Sequence, residues 1–137
     1  VRHVEILAEV PEDVCRLLHI DTTSRAVMIH QEIVSHIFER RSFRDAAMLV
    51  GVLAREEFNP LYCGRDFAYP RSFFIMESPF VGARDQMMII LKRVSASASA
   101  SRHDEIWVVT AVAVGDTTLH RMMRGNRFVI HRTTRDR

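Results

Sequence analysis

The change in hydrophobic spacing near Pro60 constrains the fold most. Before it, three segments carry apolar residues at helical intervals. Beyond it, the apolar residues gather in short runs rich in Ile, Val, Phe and Met. Pro11-Glu-Asp opens the first helix, because proline suits a first turn and acids suit its positive end. Val14, Leu17 and Leu18 form its stripe, which ends near Ile20. Gln31–Phe43 places Ile33, Val34, Ile37 and Phe38 on one side of a second helix. A third is expected over Arg44–Glu57, burying Ala47, Leu49, Val50 and Leu53, with Asn59-Pro60 beyond its end. Short strands are expected at Val4–Val10 and Ala26–Ile29, around an Asp21-Thr-Thr-Ser turn.

In the second half, Ser72–Met76, Gln86–Val94 and Glu105–Val114 read as strands. Cys63-Gly64-Arg65-Asp66 and Gly115-Asp116 read as turns. Leu119–Met123 fits either helix or strand, and Arg127–His131 is expected to be the last strand. The joins are Pro79–Asp85 and the Ser/Ala run Ser95–Ser101. Helices followed by a strand meander predict an α+β domain, with N-terminal helices packed on a compact antiparallel β-sheet.

The length, 137 residues, fits one domain, and 47% hydrophobic residues suffice for one core. No apolar run approaches the ~20 residues of a membrane span. The chain begins Val-Arg-His, as expected of a domain excised from a longer polypeptide. Cys15 and Cys63 form no CxxC, and no Cys/His spacing matches a zinc site, so two free thiols in a reducing compartment are expected. There is no glycine-rich nucleotide loop, nucleophile elbow or zinc-protease motif. No acidic cluster suits Mg²⁺. The expectation is chemistry without metal or cofactor.

Lys92 is the only lysine; the other 18 basic residues are arginine. A GC-rich genome accounts for this, and so does phosphate recognition, because the guanidinium fork matches phosphate oxygens. Residues 121–137 hold six arginines and one acid. Arg121, Arg124, Arg127 and Arg132 are therefore candidates for RNA binding. Tyr62, Tyr69 and Trp107 are candidates for base stacking or for packing.

Metal-free cleavage of a phosphodiester needs a base, an acid and cations around the transition state. Histidine serves the first two roles near neutral pH. Arginine or lysine, with a hydroxyl donor, serves the third. His36 and Arg40 lie four apart on one helical face, next to Arg41. Lys92, Arg93, Thr110 and Thr118 are candidate cations and hydroxyls from the sheet half. Strand alternation sends Lys92 and Arg93 to opposite faces. Each residue has a plainer reading: His36 as a boundary residue, Lys92 as a sheet-edge charge.

The stretch VEILAEVPEDVCRLLHIDTTSRAVMIHQEIVSHIFERR, with a following helix that ends FNP, resembles phage-associated members of the barnase, EndoU, colicin-tRNase and RelE-like nuclease group. The likeness covers about half the chain; the sheet half agrees in architecture only. By position, His36 matches that group's helix histidine. Arg40 and Arg41 fall where an Arg-His pair is frequent, so a second histidine is missing and its role would pass to Arg41. The resemblance implies metal-independent RNA cleavage by a cytoplasmic toxin or phage effector. Its substrate would be tRNA or rRNA, and an inhibitor or immunity protein is a possible partner. The alternatives are a catalytically silent RNA- or protein-binding domain on the same fold, or an assembly module.

Overall fold

In the computed structural model, residues 4–22, 24–40, 42–96 and 104–133 are described. The elements run β1 (Val4–Glu9), α1 (Glu12–Leu18), β2 (Ala26–His30), α2 (Gln31–Arg40), α3 (Phe43–Leu53), β3 (Tyr62–Asp66), β4 (Ser72–Glu77), β5 (Gln86–Val94), β6 (Glu105–Val114), α4 (Asp116–Arg124) and β7 (Phe128–Arg132). The strands make one seven-stranded sheet in the order β1-β2-β6-β5-β4-β3-β7. Among the named strand pairs all are antiparallel except β2–β6.

The fold is α+β, as the hydrophobic spacing predicts, with one correction. The helices are not all N-terminal, because α4 lies between β6 and β7. It covers the opposite face of the sheet. Helices α1, α2 and α3 bury Val14, Leu18, Ile37, Leu49 and Val52 against Val27, Ile29, Phe73, Ile75, Ile89, Leu91 and Ile106. On the other face, α4 buries Leu119 and Met122 against Phe74, Met76 and Val114, with Met88, Ile90, Phe128 and Ile130 beside them. Asp116 in the first turn of α4 and Arg121 and Arg124 in its last turn match the helix dipole.

Two helix boundaries differ from expectation. Helix α2 stops at Arg40, and Ser42 starts α3 by accepting a hydrogen bond from the Asp45 amide on its hydroxyl. Helix α3 ends at Leu53, short of Glu57. It buries Ala46, Met48, Leu49 and Val52, while Ala47 and Val50 face outward. Residues 63–66, expected to be a turn, are part of strand β3. Gly64 is there because a Cβ would lie 2.6 Å from the Phe74 ring and would strike the Val129 carbonyl. Glycine in this strand marks close approach by its neighbours, not a bend.

A candidate phosphate cleft at one end of the sheet

Helix α1 ends at His19, whose backbone is left-handed (φ 54°, ψ 44°). The His19 amide donates to the Arg16 carbonyl and the Ile20 amide to the Cys15 carbonyl. These are the two bonds of a Schellman cap, whose left-handed residue is usually glycine. Among the described residues His19 is the one non-glycine with positive φ. The conformation costs an L-residue about 1–2 kcal/mol.

Two arginines hold the segment around it. Arg65, near the end of β3, donates to the Leu18 carbonyl at 2.7 Å. Arg93, near the end of β5, donates to the Asp21 carbonyl and lies 3.5 Å from an Asp104 carboxylate oxygen. His19 is thus pinned beside the ends of β3 and β5. Here a cleft of about 840 Å³ opens, lined by His19, Arg65, Arg71, Ser72, Lys92 and Arg93 among others. Its volume is within the usual range for ligand pockets. Lys92 and Arg71 are exposed, and neither side chain makes an ion pair or hydrogen bond among the described residues. Among the described residues, the cleft is lined by one acid, Asp21, and four cations.

Lys92 and Arg93 point to opposite faces of the sheet, as alternation requires. Lys92 stands opposite Ser72 and Trp107 on the α4 face, and Arg93 opposite Ile106 on the other. Both reach the cleft because it wraps around the strand ends.

The other expected site residues are dispersed. His36 and Arg40 are exposed on α2, which packs on the three-helix face through Ile33, Val34 and Ile37. Thr110 pairs with Ile90 and so faces the α4 side. Thr118 is exposed on α4. The sheet therefore stands between His36 and both Thr110 and Thr118. Arg41 lies outside the described residues, as do residues 97–101 of the Ser/Ala run and residues 134–137 of the basic tail. Arg121 and Arg124 are exposed on α4. Arg127 pairs with Asp66 at 2.8 Å and lies over the Phe128 ring; Arg132 lies over Tyr62. Trp107 stacks on His30 with ring centroids 4.3 Å apart. Tyr69 is 59% exposed.

Of the residues that line this cleft, sequence reasoning names Lys92 and Arg93 as candidates and does not name His19, Arg65, Arg71 or Ser72. A Leu-Leu-His-Ile ending to a helix, with no glycine where the chain must turn, is the local signal that marks His19.

Cys15 and Cys63 are free thiols, half-buried and buried. Among the described residues no cluster of three or more His, Cys, Asp or Glu is placed to hold a metal ion, and no helix is long and apolar enough to cross a membrane. No protein-family model, characterised protein or solved structure matches the chain.

Proposed function

We propose that this domain is a metal-independent endoribonuclease, acting in the cytoplasm as a toxin or phage effector, with the cleft at the sheet end as its site. The carrying observation is the composition of that cleft: a histidine, four cations and a serine hydroxyl around one opening. The likeness of the amino-terminal half to the barnase, EndoU, colicin-tRNase and RelE-like group supports the same chemistry. His19 takes the role that residue type and resemblance alone would give to His36, because His19 lines the cleft and His36 is exposed on α2 outside it.

In this reading Arg71 and Lys92 hold the non-bridging oxygens of one phosphate, and Ser72 donates a hydrogen bond to it. His19 accepts the 2′-hydroxyl proton. The 2′-oxygen attacks phosphorus, the bond to the 5′-oxygen breaks, and that oxygen takes a proton from water in the open cleft. The products are a 2′,3′-cyclic phosphate and a free 5′-hydroxyl. Arg65 and Arg93 act as positioning residues, fixing the segment that carries His19.

The test is incubation with tRNA and rRNA in excess chelator. Cleavage to cyclic phosphate ends is expected. DNA, which lacks the attacking hydroxyl, stays intact. A requirement for Mg²⁺, or full activity in His19→Ala, overturns the mechanism. A second reading, a catalytically silent RNA- or protein-binding domain, is favoured by the position of His36 away from the cleft. Val4, Ile6 and Val109 are also exposed. Salt-dependent RNA binding without any cleavage is its signature.

A further inference from the structure

Beside the cationic cleft lies a second pocket of about 360 Å³ on the α4 face of the sheet. Its walls are apolar and aromatic: Tyr69, Phe74, Met88, Ile90, Val109 and Phe128. Ser72 and Phe73 line both pockets. On β5, Ile90 belongs to this pocket and Lys92 to the cleft, two residues further along the same face. Two strand residues span about 7 Å, a reach that a single nucleotide covers.

A bulge shapes the pocket floor. Between Ile90 and Leu91 of β5, the partners on β6 step from Thr110 to Val108, so Val109 is the additional residue. Val109 lines the pocket and remains 38% exposed. Tyr69 stands at the rim on the β3–β4 turn, held by hydrogen bonds between its amide and the Asp66 carbonyl and between its carbonyl and the Ser72 amide. The Asp66–Arg127 pair also borders the pocket.

We infer that this pocket is a nucleobase subsite, taking the base of the nucleotide whose phosphate lies against Lys92. The inference rests on the phosphate reading of the neighbouring cleft. Continuity through Ser72 and charge complementarity together select the occupant: an uncharged flat ring for the apolar pocket, attached to an anion for the cationic cleft. Aromatic walls bind any base through its π-face, so stacking here does not by itself choose among bases.

The experiment compares adenosine 3′-monophosphate, ribose 5-phosphate and inorganic phosphate by calorimetry on the whole chain. The nucleotide should bind about tenfold or more tightly than ribose 5-phosphate. Tyr69→Ala, a change at an exposed turn residue, should erase that advantage and leave ribose 5-phosphate binding unchanged. Lys92→Ala should weaken all three ligands. Equal binding of nucleotide and sugar phosphate by the wild type overturns the base subsite, as does an equal loss of both in Tyr69→Ala. If nucleotide binding is sensitive to Tyr69 but no ligand responds to Lys92→Ala, the base subsite stands and the phosphate reading falls. Absence of saturable nucleotide binding overturns the subsite, while Lys92-dependent phosphate binding under the same conditions keeps the cleft reading.

Discussion

Arg127 grips Asp66 through two nitrogens of its guanidinium. Nε donates to both carboxylate oxygens at 3.0 and 3.1 Å, and Nη2 to one of them at 2.8 Å. This joins the start of the last strand to β3, since Asp66 and Phe128 are paired in the sheet. The Arg127 hydrogen bond holds the Asp66 carboxyl below its ordinary value, against a smaller opposing effect of burial. A depressed folded-state value stabilises the fold above the unfolded carboxylate's range, near pH 4, and that stabilisation disappears as pH falls through the folded value. Asp66→Asn should therefore lower the denaturation midpoint at pH 7. The gap between variant and wild type should close in acid. A gap that persists at pH 2 would mean the pair acts through shape, not charge.

The buried Glu77 makes a different kind of ion pair. Its side chain has no solvent exposure, and Arg55 meets it at 2.6 Å. Arg55 also donates to the carbonyls of Ser78 and Pro79 at 2.7 and 3.0 Å, tying the end of α3 to the loop after β4. Removing Arg55 leaves the buried Glu77 carboxylate out of water without its cation, although the Asn59 amide still donates to it. Arg55→Ala should cost about 3–5 kcal/mol in chemical denaturation. A loss within the ~0.5 kcal/mol of ordinary surface changes would show that water reaches Glu77.

The core positions of α2 test how far the sequence alone carries. Helical spacing singles out Ile33, Val34, Ile37 and Phe38, and the first three pack on the sheet while Phe38 stays 44% exposed. Ile37→Ala should cost about 2–5 kcal/mol, and Phe38→Ala much less. Equal losses would mean that the helix has rotated. Strands β5 and β6 are legible to the residue: β6 has β-branched side chains at Ile106, Val108, Val109, Thr110, Val112 and Val114, and β5 has an apolar run from Met87 to Leu91. Strand β3 is not, because its glycine is explained only by the Phe74 ring and the Val129 carbonyl, which come from distant parts of the chain. The same holds for the cleft. Lys92 is conspicuous as the single lysine, but His19 and Arg65 are 46 residues apart in number and meet only when α1 packs beside β3. A histidine and an arginine four apart on a helix are visible in the sequence, and the sheet that keeps His36 from Thr110 is not.

The thiols offer a check on burial. Desolvation pushes Cys63 up to about 12, with smaller contributions from Asp13 and Cys15, and burial likewise raises Cys15. Thiolate is the reactive form. At pH 7.5 a thiol reagent should modify Cys15 slowly and Cys63 only after denaturant is added. Rapid modification of both in the native protein would contradict the packing around β3.

Salt dependence separates contact cations from bystanders. On single-stranded RNA each lost phosphate contact should flatten the log–log plot of affinity against salt by about 0.7. Lys92→Ala and Arg71→Ala should each produce about that change. Arg40→Ala, on α2 outside the cleft, should produce none. The reverse pattern would move RNA binding to the α2 face.

His19 gives the sharpest test, because its two roles pull in opposite directions. Its left-handed backbone at the end of α1 is one that glycine adopts freely. His19→Gly relieves the steric cost of the side chain and makes the unfolded chain more flexible, which offsets part of the gain. The net change should be stabilising or near neutral, within about 1 kcal/mol. His19→Ala keeps the strain and lacks the ring, so it should be less stable than His19→Gly. In RNA cleavage the order differs: both variants lose the proton-transfer group and should fall by about 10²–10⁴ in rate. A stable protein with lost activity separates catalysis from folding in one substitution. If His19→Gly is stable and cleaves RNA at the wild-type rate, the left-handed histidine is an accident of the helix end and the catalytic base lies elsewhere.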